Sequence, residues 1–369
     1  MKICMITPYP PQTGGVPVHA EALAEKLSKK HEIFIITYGR LGRKGSKNIK
    51  IEEVPVPGIK FFRGASFFIG ALMKLRSLTK KNRIDIIHAH YMHPPGTAAA
   101  IFRKLSKKSP KLVTTAHGSD LMSLAGGRIS GKLVRWAGRS CDRLICVSRH
   151  LAEAARREGT PRKRIEVVYN GLDQKEMPGA SVSSLRKEFH LPSKKKLILF
   201  AGSLNEAKGA DIFAILALQL LGKKKLRESL HFVLVGDGPE KKWLEDFCRD
   251  NEISGHVTLT GRKKHEETLK YIRCSDILVV PSRIEGFGLT ALEGMKMGVP
   301  LISTGAGALG EFLPDICIRD NIPSAVMNLL YDKKLRHRMI TLNKKIASRF
   351  TLERMADETE KIYARTKNS

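Results

Sequence analysis

The chain has 369 residues, 42% of them apolar and 6% aromatic, and carries a formal charge of +29. That length exceeds the roughly 250–300 residues that one hydrophobic core serves, so two domains are expected. The composition excludes disorder and low complexity, and no run reaches the ~18 apolar residues of a membrane span.

In chain order, Met1–Thr7 enters a strand directly, which gives no sign of a signal peptide. Short apolar runs follow at Ile3–Thr7, Ile33–Thr37, Ile84–His88, Leu112–Thr115, Leu144–Val147 and Ile165–Val168. Helical patterns fill the gaps, such as Val18–Lys29 with Leu23 and Leu27 on one face. Such βα repetition implies a parallel sheet flanked by helices. A break at Gln174–Ser193 is rich in Pro, Gly and Ser, and the pattern restarts at Leu197–Phe200, His231–Val235, Val257–Leu259 and Ile277–Val280. The reading is α/β: a Rossmann-like domain over 1–173, a linker over 174–195 and a second Rossmann-like domain over 196–349. Their parallel sheets are expected to face a cleft that gathers the strand C-termini, where such sheets bind ligands. The six cysteines lack zinc-type spacing and read as inert thiols in a reducing cytosol.

The charge is uneven. Residues 1–173 hold 32 Lys/Arg against 12 Asp/Glu, and residues 174–369 hold 33 against 24, so the first half carries +20 and the second +9. A basic surface suits nucleic acid or an anionic membrane. No recognition motif or aromatic stacking platform supports nucleic acid. The stretch from Phe61-Phe62-Arg63 through Phe67-Phe68-Ile69 to Lys81 reads equally well as a helix lying in a lipid interface or as a core-packed helix with snorkelling lysines.

The most informative segment is Glu285-Gly-Phe-Gly-Leu-Thr-Ala-Leu-Glu293, with two carboxylates eight positions apart. It follows an apolar strand, so Glu285 sits in a loop at the strand's C-terminal end and Glu293 one to two turns into a helix. Backbone amides of Gly286, Phe287, Gly288 and Leu289 would favour an anion there. Carboxylates accept hydrogen bonds from vicinal hydroxyls. Together these suit a ligand bearing phosphate and hydroxyls, such as a nucleotide sugar. Gly14-Gly15, Gly202-Ser203 and Gly236-Asp237-Gly238 also fall at strand ends, and Lys208 stands beside a helix start, where an ammonium suits a diphosphate. No clean dinucleotide or P-loop pattern occurs. His117-Gly118-Ser119-Asp120 follows a strand, and His117 could hydrogen-bond a sugar or phosphate. His88, His90 and His93 have metal-like spacing without a partnered carboxylate, and read as loop and core histidines.

In this order the segments resemble family 4 of the retaining GT-B glycosyltransferases. The match runs through Pro10–Leu27, Asp85–His90, His117–Asp120, Asp142–Ser148, Asn170–Asp173, Gly202–Gly209, Val235–Pro239, Val257–Gly261 and Glu285–Pro300. The resemblance implies that Glu285 contacts the donor sugar and Glu293 the ribose hydroxyls. The amides of Phe287–Leu289 would approach sugar and diphosphate. Lys208 would neutralise the leaving diphosphate, Gly14 and Gly15 would let the first loop approach it, and His117 would lie near the transferred sugar. It also implies retention of anomeric configuration, no metal and no cofactor. Residues 350–369 would form a helix returning to the first domain.

Ser203 departs from the pattern, which has Arg there; Arg262, Lys263 or Arg283 are the nearby cations that could compensate. The resemblance predicts a hexosyltransferase that moves a hexose or N-acetylhexosamine from a UDP- or GDP-type sugar. The acceptor would be a glycolipid, polyprenyl-linked or other envelope saccharide. A cytoplasmic place, peripheral to the inner face of the membrane, follows from the basic first domain. The alternatives are a catalytically weak nucleotide-sugar-binding homologue and a same-fold epimerase.

Overall fold

The computed structural model describes residues 1–12, 14–39, 45–56, 60–106, 109–122, 126–173 and 179–369, apart from the side chains of residues 60–63 and 65. It divides into two compact units, Met1–Asp173 with Phe350–Ser369, and Gln174–Arg349.

The first unit is built on seven strands: β1 (Lys2–Ile6), β2 (Glu32–Tyr38), β3 (Ile49–Val54), β4 (Ile86–His90), β5 (Lys111–Ala116), β6 (Arg143–Cys146) and β7 (Ile165–Val167). All pair in parallel, in the order β3-β2-β1-β4-β5-β6-β7. Ile3 of β1 stands opposite Ile33 on one side and Ile86 on the other. A strand with neighbours on both edges and helices on both faces must be apolar throughout, which is why β1 and β2 are legible as apolar runs. The edge strand β3 was not, because Lys50, Glu52 and Glu53 interrupt it; Lys50 pairs with Glu32 at 2.6 Å and Lys74 with Glu52 at 2.8 Å. β4 begins two residues later than the sequence suggested, since Asp85 lies before it, accepting the Lys2 N–H at 2.9 Å. The shift puts His90 at the tip of the strand.

The core of this unit joins Ile3, Met5, Ile33 and Ile35 to Ala20, Leu23 and Leu27 of the first helix, Gly15–Leu27. The C-terminal helix, Leu352–Asn368, adds Leu352, Met355, Ile362 and Tyr363 to the same cluster. Burying each such side chain stabilises by roughly 1.5–3 kcal/mol. The rim pairs Lys30–Glu360 and Lys26–Glu353 are open to solvent and contribute far less.

In the helix Lys60–Lys81, Phe67, Ala71, Leu75 and Leu78 are buried, while Ile69 and Met73 are 58% and 68% exposed beside Arg76 and Lys80. A core stripe and an exposed apolar-basic stripe thus share one helix. The side chains of Phe61, Phe62 and Arg63 lie outside the described residues.

The second unit has five parallel strands, β8 (Lys196–Ala201), β9 (Leu230–Val235), β10 (Val257–Leu259), β11 (Ile277–Val280) and β12 (Leu301–Ser303), in the order β10-β9-β8-β11-β12. The three-residue edge strand β12 was not read from the sequence. Part of the stretch read as a linker, 174–195, is folded into this unit. Val182–Glu188 is a helix capped by Ser181, Leu185 is fully buried, and Phe189 stacks on Tyr271 at 4.0 Å. Gln174–Pro178 lies outside the described residues. All six cysteines are buried and unpaired, and burial pushes the Cys141 thiol up to about 12. Among the described residues no helix is long and apolar enough to cross a membrane.

Candidate active site

In the second sheet β9 and β10 are laid down on one side of β8, and β11 and β12 on the other. The chain therefore switches direction between β8 and β11, and loops leaving their C-terminal ends open a crevice where ligands bind. After β8 comes a one-turn helix, Glu206–Lys208, whose cap Asn205 accepts the Lys208 N–H at 3.0 Å. Gly209 follows with φ 72°, and a Cβ there would stand 2.1 Å from the carbonyl oxygen of Pro281. Only glycine lets the two loops touch at this point. The N–H groups of Arg283 and Ile284 both donate to the Ala207 carbonyl, at 2.9 and 3.0 Å.

This docking brings Lys208 to Glu285. The ammonium donates to both carboxylate oxygens at 2.8 Å. The Ser282 hydroxyl donates to one of them at 3.3 Å and the Gly286 N–H to the other at 3.2 Å. The Glu285 side chain is 12% exposed and Lys208 32%, so the cation keeps an open side. The Gly286 amide, expected to face an anion, is instead occupied by the neighbouring carboxylate.

Gly288, with φ 98°, opens the helix Leu289–Met297; a Cβ on it would meet the Leu309 side chain at 2.3 Å. Phe287 is buried and stacks on Phe312 at 5.3 Å. The helix's first amides lack partners within the helix and point its positive end towards the loop. Glu293, in the second turn, is 4% exposed, with His265 Nε2 at 3.6 Å; burial lowers the His265 pKa. Ser203 lies exposed in the loop after β8. Of its expected substitutes, Arg283 is committed elsewhere: its guanidinium grips both Asp211 oxygens at 2.7 and 2.6 Å and the Glu206 carbonyl at 2.8 Å.

The first sheet switches direction between β1 and β4. There the loop after β5 is fixed by the wholly buried Asp120, whose carboxylate accepts the N–H groups of His117, Gly118 and Met92 at 3.2, 3.0 and 3.0 Å. Burial raises the Asp120 pKa, against those bonds. His117 Nε2 meets His90 Nδ1 at 3.1 Å, and His19 of the first helix stands edge-on to both rings, with centroids 4.9 and 5.4 Å away. One ring nitrogen of each lies within 4.8 Å of the others. Burial lowers the His19 pKa to about 4 and holds those of His90 and His117 well below the ordinary value, so the cluster is neutral at pH 7.

Behind it, the His88 ring lies against His90 at 4.2 Å, tilted by 35°, and touches Tyr363 Oη at 2.5 Å and Thr115 Oγ1 at 2.7 Å. The sequence reading left His90 as a core histidine and missed its meeting with His117; the signal was its place at a strand tip beside the His117 strand. His93 turns away, to Thr97 at 3.0 Å. Gly14, with φ 131°, and Gly15 are exposed at the start of the first helix. At the same edge of the sheet a largely apolar cavity of about 390 Å³ is lined by Pro8, Tyr38, Phe67, Tyr91, Pro94 and Pro95, among others.

Two family models match: glycosyltransferase family 4 over residues 13–176, and glycosyl transferases group 1 over residues 181–346. An uncharacterized glycosyltransferase of Methanocaldococcus jannaschii is 31% identical over 98% of both chains. The N-acetyl-α-D-glucosaminyl L-malate synthase of Bacillus anthracis is 26% identical over 97% of this chain and 95% of its own. The solved structure of Anabaena HepE in complex with UDP and glucose superposes with a TM-score of 0.80 at 16% identity, over 99% of each chain. The chain thus belongs to the family 4 glycosyltransferases of GT-B fold and is a hexosyltransferase.

Proposed function

We propose that this glycosyltransferase takes a hexose or N-acetylhexosamine from a UDP- or GDP-type sugar, without a metal and with retention of configuration. The acceptor is a saccharide carrying an apolar part, a glycolipid or polyprenyl-linked precursor, presented at an anionic membrane. The observation that carries the donor half is the Lys208–Glu285 pair at the β8/β11 switch point. An ammonium has three donors. Two serve Glu285, and the open side serves a diphosphate oxygen. Charge that develops on the leaving diphosphate is met by Lys208 and by the positive end of the helix Leu289–Met297.

Glu285, with both oxygens engaged, is a poor nucleophile, which supports front-face departure over a covalent intermediate; a sugar hydroxyl would take the place of one of its present donors, such as the Ser282 hydroxyl at 3.3 Å. Glu293, buried one helical turn further on, suits the vicinal ribose hydroxyls. The complex of Anabaena HepE with UDP favours the uridine series. The apolar cavity of the first unit and the exposed Ile69 and Met73 favour an acceptor with a lipid part.

The test is a thermal-shift panel of UDP, GDP, ADP, CDP and their sugars against the protein and Glu293→Ala. A ligand at ~100 times its dissociation constant stabilises by ~2.7 kcal/mol. One nucleotide series stabilising the protein but not the variant supports the site. No shift from any of them refutes it. Turnover of the stabilising sugar in chelator, with the product's anomeric coupling read by NMR, tests metal independence and retention.

A further inference from the structure

The histidine cluster of the first unit has a direction, and it follows from counting protons. Tyr363 is fully buried and its hydroxyl touches His88 Nδ1, so its proton goes to that nitrogen. His88 then carries its own proton on Nε2 and donates to Thr115 Oγ1 at 2.7 Å. The His88 ring, fixed in this way, lies against His90 at 4.2 Å.

Between His90 Nδ1 and His117 Nε2, 3.1 Å apart, one proton is shared, and two arrangements exist. If His117 donates, the proton of His90 sits on Nε2, a wholly buried atom with no hydrogen-bond partner among the described residues. If His90 donates, that same atom is a bare lone pair. An orphaned buried N–H is the rarer and costlier of the two. Burial keeps both rings uncharged, which removes the doubly protonated case.

We infer that His90 is a positioning residue which donates from Nδ1 to His117 Nε2 and thereby fixes His117 as the Nδ1–H tautomer. His117 then offers a neutral N–H to its ligand. It takes an oxygen with a free lone pair, from a phosphoryl or sugar group, and it has no free nitrogen with which to deprotonate an acceptor hydroxyl. This rests on the reading of His117 as a substrate contact, and it narrows that role to hydrogen-bond donation.

The tautomer can be read in the unmodified protein by long-range ¹H–¹⁵N correlation of ¹⁵N-histidine-labelled chain at neutral pH, with His117 assigned by the loss of its signals in His117→Ala. The expected pattern is a protonated Nδ1 and a bare Nε2. A protonated Nε2 overturns the inference, whatever the activity does. Two variants test the consequence. His90→Asn keeps a donor at the Nδ1 position and is expected to retain the tautomer and, within about threefold, kcat. His90→Phe removes the donor and is expected to lose kcat by about 10²-fold, the usual scale for one positioned hydrogen bond. Equal losses in the two overturn the positioning role. Full activity in His117→Ala refutes the substrate contact and leaves the tautomer result standing, so the two failures are distinct.

Discussion

Acid should unfold the first unit before the second. In the folded first unit burial holds His19 near 4 and His88 near 3, and His90 and His117 also lie well below the ordinary value. In the unfolded chain all four return to about 6.5. A group with a depressed folded pKa contributes stability that is fully present above its unfolded pKa and is lost as pH falls. The loss therefore starts near pH 6.5 and runs to the folded value, near 4 for His19. Near pH 5 each such histidine costs about 2 kcal/mol, from ~1.4 kcal/mol per pH unit over ~1.5 units. His19 and His88 together cost about 4 kcal/mol, and His90 and His117 act in the same direction. Asp120, whose pKa burial raises, offsets part of this. A domain's whole stability is about 5–15 kcal/mol.

The second unit has one comparable histidine, His231, held near 4, besides the smaller shifts of His256 and His265. The chain's two tryptophans fall one in each unit, Trp136 in the first and Trp243 in the second. Urea titrations of Trp243→Phe and Trp136→Phe between pH 7.5 and 4.5 thus report the two units separately. The expected result is a midpoint that falls steeply below pH 6.5 for the first and shallowly for the second. A first-unit midpoint that stays level down to about pH 5 would refute the buried neutral cluster.

Gly209→Ala, which adds a Cβ 2.1 Å from the Pro281 carbonyl at φ 72°, should cost about 1–3 kcal/mol in urea and abolish nucleotide stabilisation, because the loops carrying Lys208 and Glu285 part. Ser203→Arg should tighten the nucleoside diphosphate by about 10- to 100-fold in calorimetry, the worth of one charged hydrogen bond, and no change would mean that the loop after β8 does not face the diphosphate. Tyr363→Phe leaves His88 Nδ1 buried without its donor and should cost about 1–3 kcal/mol by chemical denaturation. Ile69→Glu with Met73→Glu should keep the melting temperature and lose co-sedimentation with anionic phosphatidylglycerol vesicles at low salt; unchanged sedimentation removes that helix face from the membrane reading.

Central strands were legible because burial on both faces demands continuous apolar runs, and the loops at their ends were marked by glycine. What the sequence hid was pairing between distant segments. Glu285 and Lys208 were each visible, but their two bonds depend on a glycine whose missing Cβ admits a carbonyl 72 residues later. His90 looked like core because strand period and polarity say nothing about what lies beyond a strand's tip. The edge strand β3 escaped because charged residues interrupt its apolar pattern, and β12, no shorter than β7 and β10, was not read. Arg283, a plausible stand-in beside Ser203, is held by Asp211, a contact that no spacing rule foretells.

Several of the places where local rules are broken lie at strand C-termini near the proposed site, while others, such as the positive φ of Gly159 and Gly298, lie at helix ends. Positive φ at Gly14, Gly118, Gly209, Gly236 and Gly288 falls in each case within the loop that follows a strand's C-terminal end. Two buried histidine nitrogens without hydrogen-bond partners among the described residues, His19 Nδ1 and His90 Nε2, lie in the cluster with His117, and a third, His231 Nδ1, lies in the second unit. Each feature lowers stability: a strained turn tolerates only glycine, and an unsatisfied buried nitrogen gives up its hydration for nothing. In these loops the cost is borne where segments approach closely, as at Gly209 and Pro281, and where His117 is proposed to hold a neutral N–H ready. The same buried cluster, of which His117 is proposed to face the substrate, makes the first unit the acid-sensitive one.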